Sequence, residues 1–513
     1  MKAPFKLLYN NDTTNTAGIV SPWHEEGETF REEMLVASIE EVAGTGVDAY
    51  MLSPGMGWVP WWQSKVDPEF YEWWKKRTGL EVGGWGDYDK YVYEGGDMVQ
   101  VLIDTCRKHN MAPFVSLRMN DVHLQEFHAQ KVHKSLVSCR LYCEHPEWHI
   151  DPDHPKKEGY YKKRGMDWAR PEVRAHKLAL LRELAEKYEL AGLELDFLRD
   201  DTLFRDDGPS HEERIEIITD FVRQVREAMD AGAPGQKRYL CVRIPIDMKA
   251  HPCMGLDVER LAKAGVDMFN LGIWYDTTQC PGVAQVRERL PESSLYLEMS
   301  HTTGNHRYFL KDGNYGTNGN PRTSDQQLYT TAHMAYQQGA DGLSLWNFVY
   351  YRMGHRMDVP VMEPPFHVLK KLTDRAYVAR QPRCYMLGRT SYYSQLPRMI
   401  KPGETSRFTM QMSVEGSGDP GASKPGRLRV HFSEPLEESQ EVTLRLNERS
   451  LEHSGDLTRF FGNPFDLMIS PDDKHRRAWV LPPETIADGT NEIELTLASG
   501  EQKQVVYIDA GIG

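Results

Sequence analysis

Gly192-Leu-Glu-Leu-Asp-Phe-Leu-Arg-Asp200 is the stretch on which the fold turns. In an extended chain successive side chains point to opposite faces, so Glu194 and Asp196 share one face, with Asp196 nearer the carboxyl end. Helical patterns flank it at Pro171–Tyr188 and His211–Met229. A short buried strand between two helices is the repeating unit of a parallel sheet covered on both sides.

The same rhythm runs outward in both directions. Strand-like runs occur at Phe5–Tyr9, Val47–Leu52, Pro113–Met119, Leu193–Leu198, Tyr239–Ile244, Met268–Trp274, Leu295–Met299 and Gly342–Phe348. Helical stretches such as Phe30–Val42, Gly96–Lys108, Asp257–Ala264 and Asp325–Gln338 separate them. Eight such units predict a (β/α)8 barrel, the α/β TIM architecture, with Glu194 and Asp196 pointing inward. The competing open doubly wound sheet favours a glycine-rich phosphate turn after its first strand, where this chain has Tyr9-Asn-Asn-Asp-Thr-Thr. Inserts at 54–91, rich in tryptophan, and 120–171, rich in His, Lys and Tyr, fall on loops after strands, where barrel active sites are built.

Past about residue 379 the helical periodicity stops. Short alternating strands follow at Arg407–Val414, Arg427–Phe432, Glu441–Leu446, Ala478–Leu481, Glu492–Leu497 and Gln504–Ile508, with turn signals between them. The expected organisation is a barrel domain over 1–378 and an all-β sandwich over 379–513. The 513 residues hold 61 basic and 75 acidic side chains, a net charge of −14 that argues against nucleic acid or an anionic membrane surface as partner. No apolar run approaches a membrane span, the first residues do not form a secretory leader, and the 7 cysteines are scattered and odd in number. Cytoplasmic location, or export if a leader precedes this sequence, and reduced thiols are the expectations. The exposed edges of a sandwich leave a homo-oligomer open.

A carboxylate inside a barrel is costly unless paired or used. Strand seven supplies a second one, Glu298, and the ends of strands five and six supply Asp247 and Asp276. Acids crowded at one mouth repel, which raises the pKa of the more buried ones. One protonated and one ionised carboxyl are what glycosidic cleavage needs. Asp196 is the first candidate, Glu298 its partner and Asp276 the rival partner. Arg118, Arg199 and Arg243 lie late in strands; they suit an acidic sugar but more readily neutralise Glu194, Asp196 and Asp247. Aromatic faces that could stack on sugar rings are Trp58, Trp61, Trp62, Trp274 and Trp346, and Trp73 and Trp74 fit helix packing. His123 and His301 are placed to hydrogen-bond substrate hydroxyls. The stretch Glu144–His154 has metal-binding residue types without a zinc spacing, and no P-loop, Gly-x-Ser-x-Gly or Cys-x-x-Cys is present. No metal or cofactor is expected.

Gly192-Leu-Glu-Leu-Asp-Phe-Leu-Arg199 resembles the strand-four motif of the family-ten-like glycosyl hydrolases. Ala340-Asp-Gly-Leu-Ser-Leu-Trp-Asn-Phe348 resembles their last barrel strand, and His145-Pro-Glu-Trp148 a loop segment common among them. The resemblance implies a TIM-barrel carbohydrate-active enzyme with Asp196 and Arg199 in its site. Leu195-Asp196 stands where the better-known retaining barrels carry Asn-Glu, so their double displacement is not transferred. The expectation is therefore a glycoside hydrolase using Asp196 and Glu298, with Arg199, Asn347, Trp346 and His301 shaping the site. A non-catalytic carbohydrate-binding barrel and a metal-dependent lyase or isomerase acting on sugars are the alternatives.

Overall fold

The computed structural model describes residues 2–25, 27–55, 57–83, 87–122, 139–152, 165–303, 322–353, 362–388, 394–413, 426–437, 439–458 and 473–513. Eight parallel strands close into a barrel in chain order: β1 (Leu7–Asn11), β2 (Ala49–Leu52), β3 (Ala112–Arg118), β4 (Gly192–Asp196), β5 (Tyr239–Pro245), β6 (Met268–Gly272), β7 (Ser294–Ser300) and β8 (Gly342–Trp346). The fold class expected from the sequence is the one found. By its internal contacts the chain divides into two compact units, Met1–Leu271 with Val286–Tyr296, and Gly272–Gln285 with Leu297–Gly513.

In the first unit the barrel interior is graded, and strand register produces the grading. Phe114, Gly192 and Tyr239 lie side by side on β3, β4 and β5; one step up lie Ser116, Glu194 and Cys241; above them lie Arg118, Asp196 and Arg243. β1 and β6 repeat the sequence of apolar, then amide, with Leu8–Asn10 and Met268–Asn270. The lowest level is an apolar cluster of Leu8, Ala49, Met51, Phe114, Cys241, Met268 and Tyr296. Gly192 is required there, because a Cβ on it would stand 2.2 Å from the Phe114 ring. Polar residues thus replace apolar ones as the strands approach their carboxyl ends, the end where barrels carry their chemistry.

The helices start where their sequences provide caps. Ser210 and Glu213 form a reciprocal capping box at the head of the helix His211–Gly232, and Asp97 accepts two backbone N–H groups at the head of Met98–Lys108. Among the described residues no helix is long and apolar enough to cross a membrane.

In the second unit, ten strands among the described residues form two antiparallel sheets. One contains β9 (Arg383–Leu387), β10 (Arg398–Ile400), β12 (Gly426–Phe432), β15 (His453–Ser454), β16 (Arg476–Leu481) and β18 (Lys503–Ile512). The other contains β11 (Thr405–Met412), β13 (Val442–Leu446), β14 (Arg449–Ser450) and β17 (Gly489–Leu497). Phe408, Leu444 and Ile493 of one sheet join Leu428, Trp479 and Ile508 of the other in a single core. The helix Asp325–Gln337 is buried at nine consecutive positions, Gln327 to Ala335, which no one-sided helix could be. It packs against both β8 and β9, and Thr330 Oγ1 accepts the Cys384 N–H of β9 at 2.8 Å.

The insert after β2 has its own core in the first unit. Trp61 stacks on Tyr88 at 4.3 Å and donates its indole N–H to Asp89, in the helix Tyr88–Tyr93, at 3.2 Å. Burial pushes the Asp89 carboxyl up to about 8. An unfolded chain ionises this group near pH ~4, whereas the folded chain keeps the proton to about 8, so the native state loses stability across that window. Asp89→Asn keeps an acceptor for Trp61 and removes the titration. Its melting temperature relative to the parent should rise from pH 4 to pH 8 and then level off, as measured by calorimetry; a constant difference would show that Asp89 is ionised in the fold.

Candidate functional site at the carboxyl ends of the barrel strands

The end of β4 in the first unit is a densely charged, buried region. Asp196 is 3% exposed. Arg243 Nη1 lies 3.0 and 3.1 Å from its two oxygens, and Oδ1 also accepts the N–H groups of Leu198 at 3.0 Å and Arg199 at 2.9 Å. The turn after the strand therefore folds back on the carboxylate and fixes its orientation. Of the arginines expected to neutralise this acid, Arg243 is the one whose guanidinium pairs with it among the described residues. Arg118 instead bridges Asp12 at 3.0 Å and Asp121 at 2.7 Å, two loop residues following β1 and β3.

Glu194, one level below, is fully buried and surrounded by barrel side chains. Asn10 Nδ2, Ser116 Oγ and Asn270 Nδ2 donate to it at 2.5, 2.7 and 3.0 Å, and Cys241 Sγ lies at 3.4 Å. Burial and, next, the Asp196 charge above push its pKa up. Its hydrogen bonds are made inside the barrel, where it supports the floor of the site.

Asp200 is the residue the sequence reading passed over. It is 5% exposed, accepts the Val122 N–H at 3.3 Å, and stands 3.9 Å from Arg199 Nη1. Burial pushes its carboxyl up to about 8, with Asp121 adding repulsion and Arg199 and Arg118 opposing. Glu194 and Asp200 are thus two buried acids of this end of the barrel whose carboxyls burial pushes up. The signal lay in the quoted stretch itself, whose last residue is a second acid on the same turn.

The remaining candidates of the first unit are placed as follows. Asp247 is half-buried and caps the turn Met248–Ala250, accepting the Lys249 N–H at 3.0 Å. Trp58 is 1% exposed; its N–H goes to the Asp121 carbonyl at 3.1 Å and Lys177 Nζ sits 3.7 Å from its ring centre. Trp62 donates to Glu183 at 2.8 Å. In the 144–154 stretch, His145 stacks on Trp148 at 3.7 Å and His149 on Tyr142 at 3.8 Å. Among the described residues no group of His, Cys, Asp and Glu is arranged to hold a metal ion. His123 and Trp85 lie outside the described residues.

The second unit carries Glu298, Asp276, His301, Trp274, Trp346 and Asn347. Glu298 is 2% exposed and lies across Gly272 of β6, where a Cβ would fall 2.6 Å from Glu298 Oε1. That glycine is what gives the carboxylate its place. Asp276, half-buried, has the Thr302 hydroxyl at 2.9 Å and closes a turn onto the Ile273 carbonyl. Tyr275 joins Trp346 at 5.5 Å and Tyr350 at 6.2 Å in an aromatic cluster, with Trp274 half-buried beside it. His301 has Nδ1 at 3.1 Å from Ser300 Oγ and its ring edge-on to Tyr275 and Tyr350, while Nε2 is buried without a hydrogen-bond partner among the described residues. Burial and then the Arg322 charge keep this imidazole neutral. Asn347 takes a left-handed conformation, φ 45°, at the step from β8 into Phe348–Arg352, a geometry asparagine tolerates.

No family model and no curated protein matches the chain. Solved structures to which it is similar include a GH138 enzyme targeting pectin rhamnogalacturonan II, at 14% identity and TM-score 0.40, covering 73% of this chain and 49% of that one. Another is α-L-fucosidase isoenzyme 2 from Paenibacillus thiaminolyticus, at 14% identity and TM-score 0.41, covering 74% and 49%. A third is the β-galactosidase of the psychrophilic Marinomonas ef1, at 10% identity and TM-score 0.43, covering 73% and 60%. The chain spans about half the length of the first two.

Breaking a buried ion pair from one side leaves a bare charge, at a cost of roughly 3–5 kcal/mol. Arg243→Met should lower unfolding stability by about that amount in urea titrations, and the same change in an Asp196→Asn background should cost much less. Equal costs in the two backgrounds would mean that Arg243 is not coupled to Asp196.

Proposed function

We propose that the chain is a glycoside hydrolase of family-ten-like descent, acting on an oligosaccharide, polysaccharide or glycoconjugate through paired carboxyl groups. The observation that carries the reading is the contrast between Asp196 and Asp200 at the end of β4. One is gripped by a guanidinium and two backbone N–H groups; the other is buried, accepts one backbone hydrogen bond among the described residues, and is pushed up to about 8. A carboxyl group held in a fixed orientation and a second acid that keeps its proton at neutral pH are the two parts that cleaving an acetal requires.

In this reading Asp196 attacks the anomeric carbon or takes a proton from the attacking water. Asp200 donates its proton to the departing glycosidic oxygen. Glu298 is the next candidate for donor and Asp276 the third. Arg199, beside both aspartates, hydrogen-bonds substrate, and Trp274, Trp346, Asn347 and His301 shape and hydrogen-bond the sugar, the last through Nε2. The non-catalytic carbohydrate-binding reading draws on one observation, the complete engagement of Asp196 by Arg243 and backbone.

Release of reducing sugar from a panel of glycans decides between them. Asp196→Asn should lower turnover by about two to four orders of magnitude. Because it also leaves Arg243 without its pair, the melting transition should shift down but stay cooperative, and the assay is run well below it. The parent should lose activity above pH about 8, tenfold per unit, because the donor must hold its proton, and Asp200→Asn should be slow and lack that limb. If Asp196→Asn, Asp200→Asn and Glu298→Gln all leave the rate unchanged, the carboxyl mechanism is wrong and carbohydrate binding remains.

A further inference from the structure

The first unit holds a cavity of 370 Å³ between the insert after β2 and the helix Pro171–Lys187. None of its described lining residues belongs to a barrel strand. Its size falls within the range of small-ligand sites, roughly 300–1,000 Å³. Aromatic side chains line the wall: Trp58 and Trp62, each 1% exposed, with Phe70, Tyr71 and the more open Tyr93. Two of them are held in place. The Trp58 indole is anchored by its N–H to the Asp121 carbonyl and by Lys177 against its ring, and the Trp62 N–H is anchored on Glu183. Tyr93 is 44% exposed, one of only two large hydrophobic side chains that open among the described residues.

Polar atoms punctuate this apolar wall. Asp67 is half-buried and held at 3.0 Å by Arg140, Glu72 accepts the Tyr93 hydroxyl at 3.1 Å, and Gln63 and Ser64 complete the edge. His176, stacked near Trp58 at 6.2 Å, has a buried Nε2 with no hydrogen-bond partner among the described residues. Burial, reinforced by Lys177, keeps that imidazole neutral, with its pKa lowered to about 4. The charged side chains among the described lining residues are the acids Asp67 and Glu72, each paired with a basic side chain, Arg140 and Lys75, so the site carries no strong net charge toward a ligand. A purely apolar occupant would shut water out from Asp67 and leave Nε2 of His176 unsatisfied, at a cost. The chemistry that satisfies both wall and edge is a ring with an apolar face and hydroxyls around its rim.

We propose that this cavity is a second carbohydrate site, taking a neutral sugar ring stacked on the aromatic wall with hydroxyls directed to His176 and Asp67. It lies outside the strands that carry the catalytic carboxyls, so it would hold a distal unit of a long glycan or a separate chain. The proposal rests on the glycosidase reading only for the choice of probes.

The test uses the full chain carrying Asp196→Asn, so that probes survive, titrated calorimetrically with cellohexaose, maltohexaose, xylohexaose and mannohexaose. At least one should bind, and Tyr93→Ala and His176→Phe should each weaken that binding about tenfold, with circular dichroism unchanged. In the otherwise unmodified chain, both variants should leave turnover of a short chromogenic glycoside as it was. Binding that is insensitive to both substitutions, or absent for all four probes at millimolar concentration, overturns the proposal. So does displacement of a bound neutral apolar dye without any sugar binding. Loss of hydrolysis on Asp196→Asn bears on the catalytic reading alone, so the two fail separately.

Discussion

Two acids stacked in one barrel, Glu194 beneath Asp196, impose the terms that the surrounding structure meets. Carboxylates removed from water need donors or opposite charge, and the neighbouring strands deliver them in register: Ser116 and Cys241 beside Glu194, Arg243 beside Asp196. Asn10 and Asn270 reach the lower acid from β1 and β6. The apolar cluster below and the charged level above are then the two ends of a gradient. Gly192 lets Phe114 seal the bottom of that gradient, and Arg118 organises its top by holding the loops of Asp12 and Asp121.

The barrel was legible because its strands are short, buried and separated by capped helices, a pattern few folds share. The first strand sits two residues later than the apolar run Phe5–Tyr9 suggests, at Leu7–Asn11. Asn10 and Asn11 look like loop residues in a sequence, but inside this barrel an amide is what Glu194 needs. In the sandwich, β11 alternates cleanly and was readable, whereas β9, Arg383-Cys-Tyr-Met-Leu387, is buried at four of its five positions and shows no period of two.

The site was legible by residue type and less so by pairing. Three arginines late in strands are equivalent on paper; which acid each one meets depends on loops that fold back over the mouth. Arg118 was drawn away from β4 by Asp12 and Asp121, and Asp196 was left to Arg243. Asp200 escaped notice for a related reason: in sequence an Arg-Asp pair after a strand looks like a solvated turn, and only burial turns its acid into a proton reservoir. The tryptophans of the insert follow the same lesson. Trp61 is consumed by Tyr88 and Asp89, while Trp58 and Trp62 have their N–H groups tied down and still face a cavity.

The burial of nine successive residues in the helix Asp325–Gln337 has a consequence for the chain's modularity. The carboxyl-terminal sheets are a buttress that the last barrel strand leans on, through Thr330 to β9, Gln327 to Tyr507 and Gln337 to Ser413. Trimming the chain where its composition changes would strip that helix bare along a whole side and leave greasy surface in water. Shuffling of this barrel onto other partners, by evolution or by design, has to carry its sandwich along.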